Sequence, residues 1–516
     1  VHARFAAAAV AALFVACAQA VQRSELRGFA DLPSPAGDTT ALKAHLHSGD
    51  VYVLTRWSVA EGGAALRGDG VRYDAARVRR DSGAVVLPVD SIALLEASIV
   101  EMRYPFGLQA LGFLTVVYGA VSVACLADPK SCFGSCPTFY VRGDAGDVLQ
   151  AEGFSASIAR VLEAADLDPL PDAAPRGGRL TVVMRNEAQE THVVRWVRLH
   201  AVRRPPGMHV LATADRRFVV ARDLVAPARC RADAGDCLGA VRALDTTEYR
   251  SLTDSFDLAA RETLELEFPP TVASSGLVLG ARHSFVSTYV FYQMLAYLGR
   301  SAGSWLAQLE RDGPERMPQA LGLMRALGGI EIAVAEPDGS WRHVGTYDEA
   351  GPIATDVQLF PIPNAAAGRP LRVRLRMARG SWRVGYVALA GRTVPATSTV
   401  LDPIVVERHG VADGAALAAL RDATRHLTTF PGDEYRLTFA LPGDGADYAL
   451  FLESRGYYYE WMRDEWLAEE SPAMVALAVM DPAAVLRRIA PAFKETEPRI
   501  EELFWRSRFG HGRAGR

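Results

Sequence analysis

Strict two-residue alternation, hard Gly/Pro turns and one long uncharged run predict a mainly β, multidomain protein. The expected architecture is antiparallel β-sandwich-like modules with a central apolar helix, a helical insert and C-terminal helices. In TLELEF (263–268), Leu264, Leu266 and Phe268 fall on one face and Glu265 and Glu267 on the other, the period of a half-buried strand. LRVRLRM (371–377) sets Leu371, Val373, Leu375 and Met377 opposite Arg372, Arg374 and Arg376, and YRLTFAL (435–441) repeats the alternation. Short strands joined by such turns are the mark of β-sandwiches.

The chain has 516 residues, enough for roughly three or four domains. With 49% apolar and 22% charged residues, it is a folded rather than a disordered chain. Its net charge of −4 gives no reason to expect nucleic acid as a partner. Lys43, Lys130 and Lys494 are the only lysines, so nearly all the positive charge is arginine.

Residues 1–20 have the layout of a secretory signal: His2 and Arg4, then an apolar core from Phe5 to Ala16. Two endings compete. Ala18-Gln19-Ala20 fits the small-x-small cleavage rule, whereas Phe14-Val15-Ala16-Cys17 resembles a bacterial lipobox that would make Cys17 a lipid anchor. Residues 21–103 read as a small β-barrel-like unit containing VYVLTRWSV (51–59) and a strand pair broken near Pro88-Val89-Asp90. Residues 104–127 carry no charge, a length that suffices to cross a bilayer as a helix. Burial of their large side chains, at roughly 1.5–3 kcal/mol each, excludes exposure to water. Gly112, Thr115, Gly119 and Ser122 would share one helical face, a small-residue stripe that lets another backbone approach. The run is expected to be buried or membrane-associated. Crossing the inner membrane would leave everything past Asp128 in the cytoplasm with reduced cysteines, so an outer-membrane lipoprotein with a buried or membrane-dipping run is preferred.

Residues 128–283 are expected to form one β-sandwich-like domain, with RLTVVMRNE (179–187) and HVVRWVRLHAV (192–202) as strands. Residues 284–328 read as a helical insert of two or three helices. Residues 329–456 read as a second β-sandwich-like domain, opening on a hairpin around Pro337-Asp338-Gly339. From 457 the chain turns aromatic and then helical, with Pro482, Pro491 and Pro498 expected to break it into short helices.

Four constellations are candidates for chemistry. Cys230 and Cys237 flank the polar turn RADAGD and suggest a disulfide, while Cys132 and Cys136 are a second close pair that leaves Cys125 over. Cys132-Phe-Gly-Ser-Cys136-Pro also has the CxxxCP spacing of thioredoxin-fold copper-handling proteins, in which two thiolates hold a soft ion or cycle through a disulfide. Those proteins need a distant histidine and alternating β and α elements, so a structural disulfide or buried thiols is favoured. Gly299-Arg300-Ser301-Ala302-Gly303 matches the GxSxG nucleophile elbow, which requires a strand before the serine and then an acid and a histidine. The preceding YQMLAYLG reads as helix. Tyr457, Tyr458, Tyr459 and Trp461 are a candidate aromatic patch for a sugar or partner, with core filling the favoured reading. His45 with His47, and His192 with Glu187 and Glu190, lack convincing ligand spacing; no metal site or cofactor is expected.

LPVDSIALLE (87–96), the glycine-bearing apolar run, SCPTFYV (135–141), LQAEGFSASI (149–158) and RNEAQETHVVRWVRLHAV (185–202) resemble a loose group of uncharacterised bacterial exported proteins and lipoproteins. The resemblance implies export and β architecture and no activity. A non-enzymatic exported or envelope-anchored binding or structural protein follows, located in the periplasm, outer membrane or cell surface. Its partner is expected to be a protein or envelope component, with membrane contact through 104–127 and no nucleic acid. The alternatives are a periplasmic thiol or copper-handling protein using Cys132 and Cys136, and a serine hydrolase using Ser301.

Overall fold

The computed structural model describes residues 19–27, 39–46, 50–60, 64–73, 79–103, 136–143, 146–188, 190–245, 247–270, 276–302, 322–348, 351–362, 370–430, 432–460 and 469–506, together with 305 and 309. Residues 1–18, the apolar run 104–127, Cys17, Cys125, Cys132 and Trp461 lie outside them. The expected leader and central apolar helix are therefore not described, although Gln19 and Ala20 open a strand, Gln19–Arg27. Among the described residues no helix is long and apolar enough to cross a membrane. The fold is mainly antiparallel β, in several sheets with a few helices. It divides into two compact units, one holding residues 1–123, 296–303 and 461–471 and the other the remainder.

The first unit contains a six-stranded sheet in the order Gln19–Arg27, Ile92–Arg103, Thr39–Leu46, Val51–Val59, Ala65–Tyr73, Arg79–Pro88. The break expected near Pro88 is a 3-10 turn, Val89–Ser91. That turn joins the edge strand to one four places away. Four strand spacings measure ~19 Å on a flat sheet, whereas three 3-10 residues rise only ~6 Å. So short a turn could not join those two strands on a flat sheet, so the sheet curves between them. Leu42, Leu54, Trp57, Leu66, Leu87 and Leu95 form its core.

The second unit contains two sandwiches. One packs the sheet Val411–Ala412, Val405–Arg408, Glu434–Ala440, Arg179–Arg185, Thr138–Gly143, Gly146–Glu152 against the sheet Ser398–Leu401, Glu190–Arg203, Tyr448–Glu460, Ala164–Pro169. Phe139, Val182 and Met184 from the former meet Val197, Leu199 and Leu452 from the latter in one core. The helix Gly414–Arg421 covers this core with Ala416, Ala419 and Leu420; the Asp413 carboxylate caps it by accepting from the Ala416 N–H at 2.8 Å.

The other sandwich is built from residues 209–396. Its sheets run Leu224–Val225, Trp382–Ala390, Gly276–His283, Asp356–Pro361, His209–Thr213, Phe218–Ala221, Thr393–Ala396 and Gly235–Asp236, Arg229–Ala232, Arg261–Phe268, Leu371–Ala378, Ile330–Ala335, Trp341–Tyr347. The alternation read from TLELEF and LRVRLRM decides both faces. Leu264, Leu266, Phe268, Val373, Leu375 and Met377 are buried. Outside, Glu265 lies opposite Arg374 and Glu267 opposite Arg372, cross-strand pairs of opposite charge that support the register.

The sheets do not follow a division into 128–283 and 329–456. Arg179–Arg185 pairs with Glu434–Ala440, and Glu190–Arg203 pairs with Tyr448–Glu460, so both ends of this region build one sandwich. The other is inserted between Arg203 and Ser398, and Val202 and Ser398 are paired neighbours. Alternation fixes which side chains face inward and leaves the choice of pairing strand open.

A second difference concerns the C-terminal prolines. Pro482 opens a single helix, Pro482–Arg506, that runs through Pro491 and Pro498. Val485, Leu486, Ile489, Ala490, Phe493 and Ile500 form a buried stripe at helical spacing, while both internal prolines are exposed. Packing of that stripe outweighs the hydrogen bonds the prolines remove. Asp481 caps the start by accepting from the Ala484 N–H at 3.0 Å. In the expected helical insert, the described helices are Phe285–Leu298 and Gly322–Leu327.

Candidate functional site

Cys230 and Cys237 form a disulfide, with Cα atoms 5.0 Å apart, across the turn between Arg229–Ala232 and Gly235–Asp236. Cys136 is a free, buried thiol; its candidate partner Cys132 lies outside the described residues. Burial first, then the negative charges of Glu190, Glu152 and Glu460, push the Cys136 thiol well above its ordinary value. That environment disfavours the thiolate a soft-metal or redox site needs.

Ser301 is exposed and ends a single 3-10 turn, Gly299–Ser301, that continues the helix Phe285–Leu298. A nucleophile elbow needs a strand at that point. The local residues have another role. Gly299 adopts φ 48° at the helix end, where a Cβ would lie 2.6 Å from Glu470, and Arg300 bonds Glu470 through Nε at 2.8 Å and Nη2 at 3.2 Å.

Tyr457 and Tyr458 do not form an open platform. Both are buried on the strand Tyr448–Glu460, and Tyr458 donates its hydroxyl to the Ser155 carbonyl at 3.0 Å. Tyr459 is half-buried, edge-on to Tyr457. His192 and Glu190, two apart and so on one face of their strand, are buried and bonded to each other at 3.1 Å. Glu187 accepts from Tyr140 at 2.8 Å and Thr138 at 3.1 Å. Among the described residues no group of three or more His, Cys, Asp or Glu side chains could hold a metal ion.

The feature that sequence reasoning missed is a cleft of about 1490 Å³ between the two sandwiches. The inserted sandwich supplies Val210, Leu224, Val357 and Tyr386, and its host supplies Leu149 and Tyr448. The loop 351–355 lies along it and is held from both sides. The Glu152 carboxylate of the host accepts from the Ile353 N–H at 2.7 Å and the Ala354 N–H at 3.2 Å, and also from the Ser155 hydroxyl at 2.9 Å. From the inserted sandwich, Arg282 donates to the Pro352 carbonyl at 2.7 Å and the His283 N–H to the Gly351 carbonyl at 2.8 Å. Arg282 is in turn gripped by Glu248 through two bonds of 2.8 and 2.7 Å. Residue 351 must be glycine for this approach, since a Cβ would sit 2.8 Å from a Glu152 oxygen. Phe154, buried at φ 38° two residues beyond Glu152, holds a conformation rare for a bulky side chain.

The other carboxylates of the cleft also have protein partners. Asp172 accepts from the Gln150 amide at 2.9 Å, and Asp245 from the Thr247 N–H at 2.7 Å. Burial pushes the Tyr386 hydroxyl above its ordinary value, so it stays a neutral donor. The arrangement can hold a guest between apolar walls with polar groups fixed in place, and among the described residues that line it no nucleophile is paired with a base.

No family model matches the chain, and no curated protein matches it. Among solved structures, the crystal structure of infectious bursal disease virus VP2 subviral particle aligns over 94% of both chains at 10% identity with a TM-score of 0.12, a likeness too slight to support a shared fold.

Proposed function

We propose that this is a non-enzymatic, exported or envelope-anchored binding protein that takes its ligand in the cleft between the two sandwiches. The observation that carries this reading is the loop 351–355, clamped by Glu152 from one side and Arg282 and His283 from the other. A cleft with a fixed floor binds without the entropy cost of ordering it, and a cavity at a domain junction is a common place for a ligand. The Cys230–Cys237 disulfide supports an oxidising compartment. The leader-like residues 1–20, with Cys17 as the anchor, and the resemblance to exported proteins point the same way. The readings that use Cys132 with Cys136 or Ser301 gain no specific support.

Native mass spectrometry of the protein purified from its own envelope tests this. The expected result is excess mass released on denaturation and absent from Met208→Trp/Leu224→Trp, in which two half-buried lining residues fill the cleft. A bare native mass, with no binding of any component of an envelope extract, would overturn it.

A further inference from the structure

The charge of the cleft is not balanced by its own contacts. Four arginines line it against three carboxylates, Asp172, Asp245 and Glu248, and each carboxylate is already bonded within the protein. Arg282 is spent on Glu248, and Arg250 also has partners of its own. Arg204 and Arg242 are different: both side chains are exposed to the cleft and have no hydrogen-bonding or ionic partner among the described residues. His209, also exposed, lies in the same lining. The walls beside them are apolar, with Leu149, Val210, Leu224 and Val357 half-buried.

We infer that the cleft recognises an anionic amphiphile, a molecule with a phosphate or carboxylate head and an apolar body, with Arg204 and Arg242 reading the head. A guanidinium offers a planar fork that matches either oxyanion through paired hydrogen bonds. None of the three carboxylates of the lining bonds either guanidinium among the described residues. The apolar walls take the body, whose burial supplies affinity that does not depend on the details of its shape. This inference rests on the cleft being the binding site and adds the class of ligand.

Two probes that share one apolar body separate the inference from that reading: 1-anilinonaphthalene-8-sulfonate, which is anionic, and its uncharged parent N-phenyl-1-naphthylamine. The full chain is expected to bind both, and the anionic probe more tightly. Arg204→Glu/Arg242→Glu should weaken the anionic probe about tenfold and leave the neutral probe unchanged. Raising the salt concentration should mimic that loss. Arg204→Gln/Arg242→Gln, which removes charge without reversing it, should give a smaller loss in the same direction with an unchanged melting temperature. Dodecyl phosphate and dodecanoate as competitors tell a phosphate head from a carboxylate head, and stronger displacement by either supports the inference. Equal binding of both probes, unchanged by the substitutions, would overturn the charge assignment while the binding reading stands. Failure of both probes to bind would count against the cleft itself.

Discussion

Glu152 accepts from two backbone N–H groups and one hydroxyl while almost fully buried. Replacing it by alanine strands the buried Ile353 N–H and the half-buried Ala354 N–H, at about 1–3 kcal/mol for the first and less for the second. Glu152→Ala is therefore expected to lower stability by about 2–4 kcal/mol in urea unfolding. Glu152→Gln keeps an acceptor and should lose roughly half as much. A change within about 0.5 kcal/mol for alanine would show that the clamp is not energetic. His283 sits beside the same loop and titrates against the fold. It stacks on Trp382 at 3.8 Å, and its Nδ1 is buried without a hydrogen-bond partner among the described residues, while the residue as a whole is half-buried. Burial pushes its pKa down to about 4 from 6.5, partly offset by the Ser381 backbone. The unfolded chain therefore binds the proton first as pH falls. The stabilising contribution is full above pH 6.5 and is lost between 6.5 and about 4. The loss is on the order of 2–3 kcal/mol. His283→Phe should flatten that part of the pH–stability curve, measured by chemical unfolding at pH 4.5 and 7. An unchanged slope would assign the titration to other groups.

Strands and helices differ in how far their local pattern decides them. LRVRLRM and TLELEF are legible because period two leaves one consistent burial for every side chain, and the structure follows it. Cys230 and Cys237 were legible because the turn between them is short enough to set its own geometry. Pro482 does separate two helices, Pro472–Met480 and Pro482–Arg506, whereas Pro491 and Pro498 do not end the second. A proline removes one donor and crowds the carbonyl four residues back, a finite cost. Against it stand six fully buried side chains from Val485 to Ile500 and the contact of Phe493 with Tyr289 at 5.0 Å. Pro491 is exposed, so its ring contributes little packing. Pro491→Ala is expected to restore the bond to the Arg487 carbonyl and raise stability by about 1–2 kcal/mol, after the entropy regained by the unfolded chain. Thermal unfolding checks this; a lower melting temperature would mean that the bend is required for the helix to reach its site.

At the scale of the whole second unit, neither the nesting of the sandwiches nor the cleft was legible. The cleft draws on stretches as distant as Leu149, Leu224, Val357 and Tyr448, and no local pattern joins them. The nesting has a consequence for cooperativity. The chain crosses between the sandwiches twice, next to the paired Val202 and Ser398. A small core is shared at that crossing: Leu167, Val202 and Phe451 of the host meet Ala212 and Phe218 of the insert. Phe218 lies 4.9 Å from Phe451 and 5.5 Å from His200, ring to ring. Two crossings, the shared core and the Glu152 clamp should make the sandwiches unfold as one. Phe218→Ala removes the largest side chain that the insert contributes to the shared core, at a cost of about 3–5 kcal/mol. That cost falls on the coupling between the sandwiches, because both main cores are untouched. Scanning calorimetry is expected to show one transition for this unit in the native protein and two in Phe218→Ala. Two transitions already present in the native protein would mean that each sandwich stands alone and that the cleft between them opens freely.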